Sequence, residues 1–250
     1  MNKKVLLGVI GTILLTPTMV LAKDTTELEH SELVARTTKY FKTETRLNEI
    51  SINAIDTPRT RSYEVTEEEY NNAEGGISTR AEGTVETTYK KMVTSIWARN
   101  SGYRFDNTLT WKNMPSVRSF DIIAIGKNSN TYIYDGPYFS QRYCTSSGSC
   151  YTSFTHTVQT WSTGAGATCQ LMTGGLSSLK INIQYDVLKN VSYTLYGLTA
   201  YGDYSHATST VTNSQAQNYT VNSGGIHLGD SIYSSYDSID TAEANWYGTW

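Results

Sequence analysis

The sequence predicts an all-β protein: an antiparallel β-sandwich or jelly-roll-like domain at residues 81–250, preceded by a polar, partly helical or mobile N-terminal arm. Two segments support this prediction, because Tyr103–Trp111 and Leu179–Val187 alternate apolar and polar residues, as half-buried strands do. In addition, strand-like runs and Gly-rich turns follow one another after residue 80 without a long helical pattern. We expect roughly eight to ten short strands there.

The first 22 residues have the pattern of a cleaved secretory signal peptide. Basic residues open the segment, an apolar run follows at Val5–Leu15, and Val20-Leu21-Ala22 provides a cleavage site before Lys23. The apolar run of about 11 residues is shorter than the roughly 20 that an uncleaved membrane anchor needs. We therefore expect a secreted, extracellular protein.

Residues 23–80 form the N-terminal arm, which is rich in charge and poor in aromatic residues. Thr26 with Glu29, and Thr66 with Glu69, have the capping-box spacing, which predicts two short helices. The apolar residues lack a sustained helical period, so we expect the rest of the arm to be mobile or to pack on the following domain. A linker or a propeptide processed at its arginines is the alternative interpretation.

Two further features assign strands within the β domain. Phe120–Ile125 has apolar residues at both odd and even positions, which suits a central strand covered on both faces. The alternation of Leu179–Val187 continues at Val191–Leu195, which predicts a β-hairpin. A three-residue loop, Leu188-Lys189-Asn190, would keep both apolar rows on one face by pairing Val187 with Val191.

The three cysteines predict one short disulfide. Cys144 and Cys150 flank a polar loop of five residues, and an oxidising compartment would let them pair. Cys169 is then a buried free thiol, or it re-pairs with one of the other two or with another chain. The spacing does not match zinc-binding patterns, so no metal site is predicted.

Charge is unevenly distributed along the chain. The whole sequence has 20 Lys and Arg against 23 Asp and Glu, and no Lys or Arg occurs from Val191 to Trp250. Such a surface repels nucleic acid and anionic lipid headgroups. We therefore exclude nucleic acid as a partner of that half.

No catalytic or cofactor motif is present, so no catalytic residue and no cofactor is assigned and a non-catalytic protein is favoured. The four histidines have no metal-ligand spacing, and no G-x-S-x-G turn presents a serine nucleophile. A glycosidase needs two carboxylates about 5 to 10 Å apart, and Asp121 and Asp186 are the candidates for them. An exposed or hydrogen-bonded strand aspartate is the alternative interpretation of each.

Aromatic residues give the stronger functional indication, since the chain contains 19 Tyr and five Trp. An exposed binding platform near the C-terminus would consist of Tyr233, Tyr236, Trp246, Tyr247 and Trp250. Alternatively, the tail at residues 245–250 closes the sandwich as a last strand. The tract Tyr201–Ser238, dense in Ser, Thr, Asn, Gly and Tyr, resembles in composition the inserting hairpins of β-pore-forming toxins, although its alternating apolar face is missing.

These observations favour a secreted, non-catalytic β-sandwich module that binds an extracellular ligand through exposed aromatic residues. The expected ligand is a carbohydrate, a cell-wall polymer or a protein. A β-pore-forming toxin-like protein, which alone would involve a membrane, and an extracellular hydrolase are the alternatives.

Overall fold

The computed structural model describes residues 31–46, 60–80, 83–152, 155–173 and 175–250. Antiparallel strands make up most of it, which confirms the predicted all-β, sandwich-like fold. In chain order the strands are β1 (Ser31–Arg46), β2 (Thr60–Val65), β3 (Gly76–Arg80), β4 (Gly83–Arg99), β5 (Gly102–Trp111), β6 (Phe120–Lys127), β7 (Thr131–Thr145), β8 (Cys150–Thr152), β9 (His156–Trp161), β10 (Gly164–Gln170), β11 (Leu176–Lys189), β12 (Tyr196–Ser205), β13 (Tyr219–Asn222), β14 (Gly225–Leu228) and β15 (Asp240–Thr249).

The strands form two main sheets and one small hairpin. The eight-stranded sheet has the order β2-β1-β4-β5-β11-β7-β8, with β3 also paired to β4, and the five-stranded sheet has the order β15-β12-β6-β10-β9. Strands β13 and β14 pair only with each other. Two short helices, α1 (Glu67–Asn72) and α2 (Asn213–Ala216), complete the regular structure together with a 3-10 turn at Tyr233–Ser235.

The main core lies between the two sheets, as the alternation in β5 and β11 predicts. Phe105, Leu109, Ile181 and Ile183 are fully buried there, while the residues between them point to the opposite face of the eight-stranded sheet. We call that opposite face the outer face.

Strand β6 is covered on both sides, as its apolar run predicts. Ile123 and Ile125 belong to the core between the sheets, whereas Ile122 and Ala124 belong to a second core. The β13–β14 hairpin and the segments around it supply the other side of that second core.

The structure corrects the secondary structure expected for the N-terminal arm. Thr66 does cap a short helix, α1, by accepting a hydrogen bond from Glu69 N, whereas Thr26 and Glu29 lie outside the described residues. The other described residues of the arm include three strands, and β1 pairs with β4 along nearly its whole length. The arm packs on the domain with few apolar residues because part of the face that β1 turns toward the other sheet is polar. Thr37 Oγ1, for example, donates a hydrogen bond to the carbonyl of Glu243 in β15 at 2.6 Å.

The predicted hairpin from Leu179 to Leu195 is wrong. Strand β11 lies between β5 and β7, and Val187 is paired with Tyr103 and Ile133 instead of Val191. Residues 190–195 are irregular and lead to β12 in the other sheet. Alternation shows which side chains face the core, but it does not identify the neighbouring strand.

The predicted disulfide is present. Cys144 and Cys150 are bonded and lie opposite each other across the β7–β8 hairpin, while Cys169 is a buried free thiol facing the main core. The bridge therefore closes a peripheral hairpin.

We expect the double variant C144S/C150S to lose about 2 kcal/mol of unfolding free energy and to keep its β-sheet spectrum, because the closed loop is short. Urea unfolding followed by circular dichroism would measure this, with the reduced wild-type protein as the control. Loss of the sheet signal in the folded baseline would contradict a merely peripheral role.

Candidate functional site

The aromatic residues predicted to form a C-terminal platform do not come together. Tyr236 is buried and its hydroxyl donates to the carbonyl of Phe120 at 2.7 Å, so its assignment as an exposed ligand-binding residue is wrong. Trp246 and Trp250 each lie with their ring 4.9 Å from the ring of Tyr103, packed against the main core. The alternative interpretation, a tail that closes the sandwich as its last strand, is confirmed.

Tyr233 and Tyr247 are exposed, at 71% and 89% of their full surface, but they lie in different places. Tyr233 belongs to the turn that precedes β15, whereas Tyr247 lies near the far end of that strand. The seven residues from Asp240 to Trp246 alone span about 20 Å of extended chain. A single platform is therefore not assembled from these two side chains.

The tract Tyr201–Ser238 lies on and beside the five-stranded sheet. Its start belongs to β12, and Val211, Ala216 and Ile226 pack into the second core. The pore-forming hypothesis for this tract stays a prediction.

Asp121 and Asp186 lie on opposite sides of the eight-stranded sheet and do not form a carboxylate pair. Asp121 is in β6 and faces the space between the sheets, where it is fully buried. Asp186 is in β11, on the outer face, where it forms a two-point ion pair with Arg104 at 2.6 and 3.0 Å.

A cluster of charged side chains is buried between the two sheets. Lys90 Nζ lies 3.2 Å from an oxygen of Asp237 and 2.5 Å from an oxygen of Asp240, and all three side chains are almost completely excluded from solvent. The ammonium also lies 5.0 Å from the ring centre of Trp111 and 5.2 Å from that of Tyr204. These contacts replace the hydration that Lys90 loses on burial.

Asp121 continues this cluster on its other side. It accepts hydrogen bonds from the Tyr204 hydroxyl and from Ala207 N, and His206 Nδ1 lies 3.0 Å from its Oδ1. The nearby carboxylates raise the pKa of His206, against the opposing effect of burial. A substrate has no access to these side chains because their exposed fraction is at most 5%. We therefore assign the cluster to stability.

Two buried acids, Asp203 and the cluster member Asp240, have raised pKa values. Burial raises the pKa of Asp203 to about 7, and its Oδ2 accepts a hydrogen bond from Ile226 N at 2.6 Å, linking β12 to β14. Burial raises the pKa of Asp240 to about 6 although Lys90 opposes the shift. Both carboxyls are easier to protonate in the folded protein than in the unfolded chain.

Among the described residues, we assign one candidate ligand site. It is a set of aromatic and polar side chains on the outer face. Its members come from four adjacent strands and lie opposite one another in the ladders. We call it the outer-face site, and it consists of Trp97 in β4, Arg104 and Asp106 in β5, Gln184 and Asp186 in β11, and Tyr138 in β7.

The first row of the site runs from Trp97 through Arg104 to Asp186. Trp97 lies opposite Arg104, and its indole Nε1 donates to Ser95 Oγ at 3.0 Å, which fixes the ring over the sheet. The guanidinium of Arg36 lies 5.7 Å from the centre of the Trp97 ring. The Arg104–Asp186 pair adds two planar groups beside that ring.

The second row runs from Asp106 through Gln184 to Tyr138. Gln184 lies between the other two in the ladders, so its side chain is about 5 Å from each at Cβ. Asp106 accepts hydrogen bonds from Asn182 at 2.7 Å and from Thr108 at 3.2 Å, yet burial raises its pKa. The amide of Gln184 makes no hydrogen bond to a described residue, so it is available to a ligand.

Tyrosines extend the site along β7. Tyr132, Tyr134 and Tyr138 are exposed at 46%, 39% and 50%, and Tyr138 donates from its hydroxyl to Asp135 at 2.6 Å. An irregularity in the ladder separates Tyr134 from Tyr138 and includes Gly136, whose φ is +93°. This positive φ favours glycine, and a Cβ on Gly136 would also lie 3.2 Å from Tyr185 Cα, a tight contact.

The local sequence accounts for the outward direction of these groups. Phe105, Ile183 and Tyr185 point into the main core, so the residues between them point outward. Alternation identifies Arg104 and Asp106 as solvent-facing, but sequence reasoning missed Trp97, Tyr138 and Gln184 as site residues. Their proximity depends on strand order, which no pattern within a single strand encodes.

In the part of the chain that the structure describes, no three or more His, Cys, Asp or Glu side chains are arranged to hold a metal ion. Among the same residues, no helix has the length and apolar character needed to cross a membrane.

Comparisons with known proteins do not identify a family. No protein-family model and no curated protein matches the chain. Among solved structures, one described as "AvmM Catalyzes Macrocyclization in Alchivemycin A Biosynthesis" is 8% identical, over 59% of this chain and 82% of that chain, with a TM-score of 0.22. Another, described as "Complete structure of manganese lipoxygenase of Gaeumannomyces graminis and partial structure of zonadhesin of Komagataella pastoris", is 6% identical, over 88% and 84%, with a TM-score of 0.26. At such low TM-scores, neither supports an argument.

The raised pKa values predict a protein that is more stable in mild acid than in mild base. The stability that protonated Asp203 contributes is fully present below the pKa of this group in the unfolded chain, and it is lost as the pH rises through about 7. The contribution of protonated Asp240 is lost in the same way as the pH rises through about 6. Asp203 alone should make the unfolding free energy about 2.5 kcal/mol higher at pH 5 than at pH 8. Urea unfolding at both pH values measures this, and D203N, which keeps an acceptor oxygen, should remove that part of the difference. An unchanged pH dependence in D203N would contradict the assignment.

Replacing Lys90 by methionine should destabilise the protein by about 3 to 5 kcal/mol, because Asp237 and Asp240 would lose the buried cation that pairs with them. The neighbouring substitution K91M is the matched control, since the Lys91 amine lies 5.6 Å from the ring centre of Tyr40 on the outer face. It should cost less than about 1 kcal/mol. Equal losses from the two variants in urea unfolding would refute the role of the buried cluster.

Proposed function

We propose that the protein is an extracellular, non-catalytic module that binds carbohydrate on the outer-face site. The observation that carries the proposal is the combination, on one open sheet face, of aromatic rings and hydrogen-bonding planar groups. Trp97 and Tyr138 supply the rings, and Arg104 and Gln184 supply the planar groups.

This combination suits the surface of a sugar. One side of a pyranose ring is lined by C–H groups and packs on an aromatic face, while the hydroxyls around its rim donate and accept hydrogen bonds. Gln184 offers both an amide donor and a carbonyl acceptor, and it lies directly beside Tyr138. A sheet holds these groups in fixed positions, so little conformational entropy is lost on binding.

Two observations support an extracellular location. The expected signal peptide at residues 1–22 would direct export, and the Cys144–Cys150 disulfide is compatible with an oxidising compartment.

An extracellular glycoside hydrolase is the second candidate, and a specific observation favours it. Asp106 and Asp186 are diagonal neighbours on the outer face, about 7 Å apart by their ladder positions. Burial raises the pKa of Asp106, while Asp186 is ion-paired with Arg104. A carboxyl with a raised pKa beside an ionised one is the arrangement that glycosidases use. Binding is preferred because Asp186 is almost fully covered and already occupied by Arg104.

We expect the wild-type protein to be retarded in native gels that contain a polysaccharide from a panel of cellulose, xylan, starch, chitosan, pectin and alginate. The variants W97A and Y138A should each weaken binding at least tenfold, because each removes a stacking surface. Isothermal titration with the retarding polymer gives the affinity.

The matched control is Y196A, which removes a tyrosine exposed at 82% that lies in the five-stranded sheet. Equal weakening by Y196A, or no retardation by any polymer, would overturn the proposal. Release of reducing sugar by the wild-type protein, lost in D106N, would identify the hydrolase instead.

A further inference from the structure

We propose that the carbohydrate bound at the outer-face site is an acidic polysaccharide, and that Lys180 and Arg142 form the subsite for its anionic groups. This inference rests on the proposed function and narrows its ligand class. It comes from a pair of cations whose placement the fold itself does not explain.

Lys180 in β11 and Arg142 in β7 lie directly opposite each other on the outer face. Side chains in such positions are about 5 Å apart at Cβ, and like charges there destabilise a sheet. Both side chains are exposed, and neither forms an ion pair with a described residue. A bound anion would remove the repulsion that the free protein carries.

Neighbouring cations on the same face are already engaged. The Lys91 amine lies over the ring of Tyr40, and Arg104 is paired with Asp186. The nearest acid on the Lys180 side is Asp106, and the charge of Lys180 opposes the rise in the pKa of this carboxyl that burial causes. The hydrogen bonds to Asp106 come from Asn182 and Thr108, so the Lys180 ammonium still has donors for a ligand. Within β4, β5, β11 and β7, Lys180 and Arg142 are therefore the outer-face cations best placed to pair with a ligand.

The subsite continues the outer-face site along two strands. From Gln184 to Lys180, and from Tyr138 to Arg142, the distance is four residues, or about 13 Å. Asn182 and Ser140 lie between them and on the same face, because the spacing is even. A polymer stacked on Tyr138 can therefore run along β7 and β11 and reach both cations over polar side chains.

The chemistry of the pair favours carboxylate or sulfate groups that repeat along a chain. The planar guanidinium of Arg142 binds an oxyanion through two parallel hydrogen bonds, and the Lys180 ammonium adds a point charge. A neutral polysaccharide would leave the repulsion between the two cations in place.

The test compares acidic polymers with their neutral methyl esters, because esterification removes the carboxyl charge and leaves the sugar backbone unchanged. The probes are polygalacturonate, alginate and hyaluronan, each with its methyl ester, measured by affinity electrophoresis and isothermal titration. We expect at least one acid to bind tenfold or more tightly than its ester. The double variant K180Q/R142Q should remove that preference and leave binding of the ester within twofold.

The matched control is K39Q/R61Q, which also removes two positive charges, from β1 and β2 at the opposite edge of the same sheet, where Lys39 is paired with Glu64. It should change the affinity for the acids less than twofold. Equal loss in both double variants, or equal affinity for single-stranded DNA, would make the effect general ion exchange and overturn the inference.

The remaining outcomes separate the inference from the proposed function. If acids and esters bind alike, or if only neutral polysaccharides bind, the function stands and the acidic-ligand inference is wrong. If no polysaccharide binds at all, the proposed function fails and the inference fails with it.

Discussion

The ion pairs of Lys90 determine how the two sheets meet. A buried ammonium is tolerated only where carboxylates and aromatic faces replace its water, and here these come from Asp237, Asp240, Trp111 and Tyr204. Because β4 supplies the cation and the start of β15 supplies an anion, a shift of either strand would leave a charge unpaired. Apolar contacts between the sheets would not impose so specific an alignment.

This constraint also decides which surface is left free. His206 N and Ala207 N donate to Asp237 and Asp121, which ties the segment that follows β12 to the cluster. That segment and the β13–β14 hairpin then cover one side of β6, while the main core covers the other. Over β5, β11 and β7, no second layer of described residues lies on the outer face. The site therefore lies on the sheet surface that the packing does not use.

The sequence was informative where burial alternates and uninformative where it does not. Strands β5 and β11 are predicted because Phe105 and Ile183, among others, mark one face with apolar residues. Strand β1 was missed because its inner face is partly threonine, and polar inward residues break the apolar signal. The burial of Lys90 was equally hidden, since lysine in a strand ordinarily indicates solvent. The disulfide was predictable because its partners are close in sequence.

The site itself was only half predictable, for a related reason. The outward direction of Arg104 and Asp106 follows from the alternation of side chains along β5. The proximity of Trp97, Gln184 and Tyr138 can be predicted only when the strand order β4-β5-β11-β7 is known. The sequence instead drew attention to the C-terminal aromatics, of which Trp246 and Trp250 close the core. Aromatic residues serve packing and binding equally well, so composition could not distinguish the two uses.

The uneven distribution of Lys and Arg along the sequence places most of these cations on the eight-stranded sheet and few on the five-stranded sheet. In the strands of the five-stranded sheet, Lys127 is the one Lys or Arg, and its amine is buried and donates to the carbonyl of Thr131. Exposed cations such as Lys180 and Arg142 therefore belong to the eight-stranded sheet. An acidic polymer would be repelled by one side of the molecule and attracted to the other before any contact forms. The base-free C-terminal region thus favours the same orientation as the cation pair, because both direct a polyanion toward the outer face.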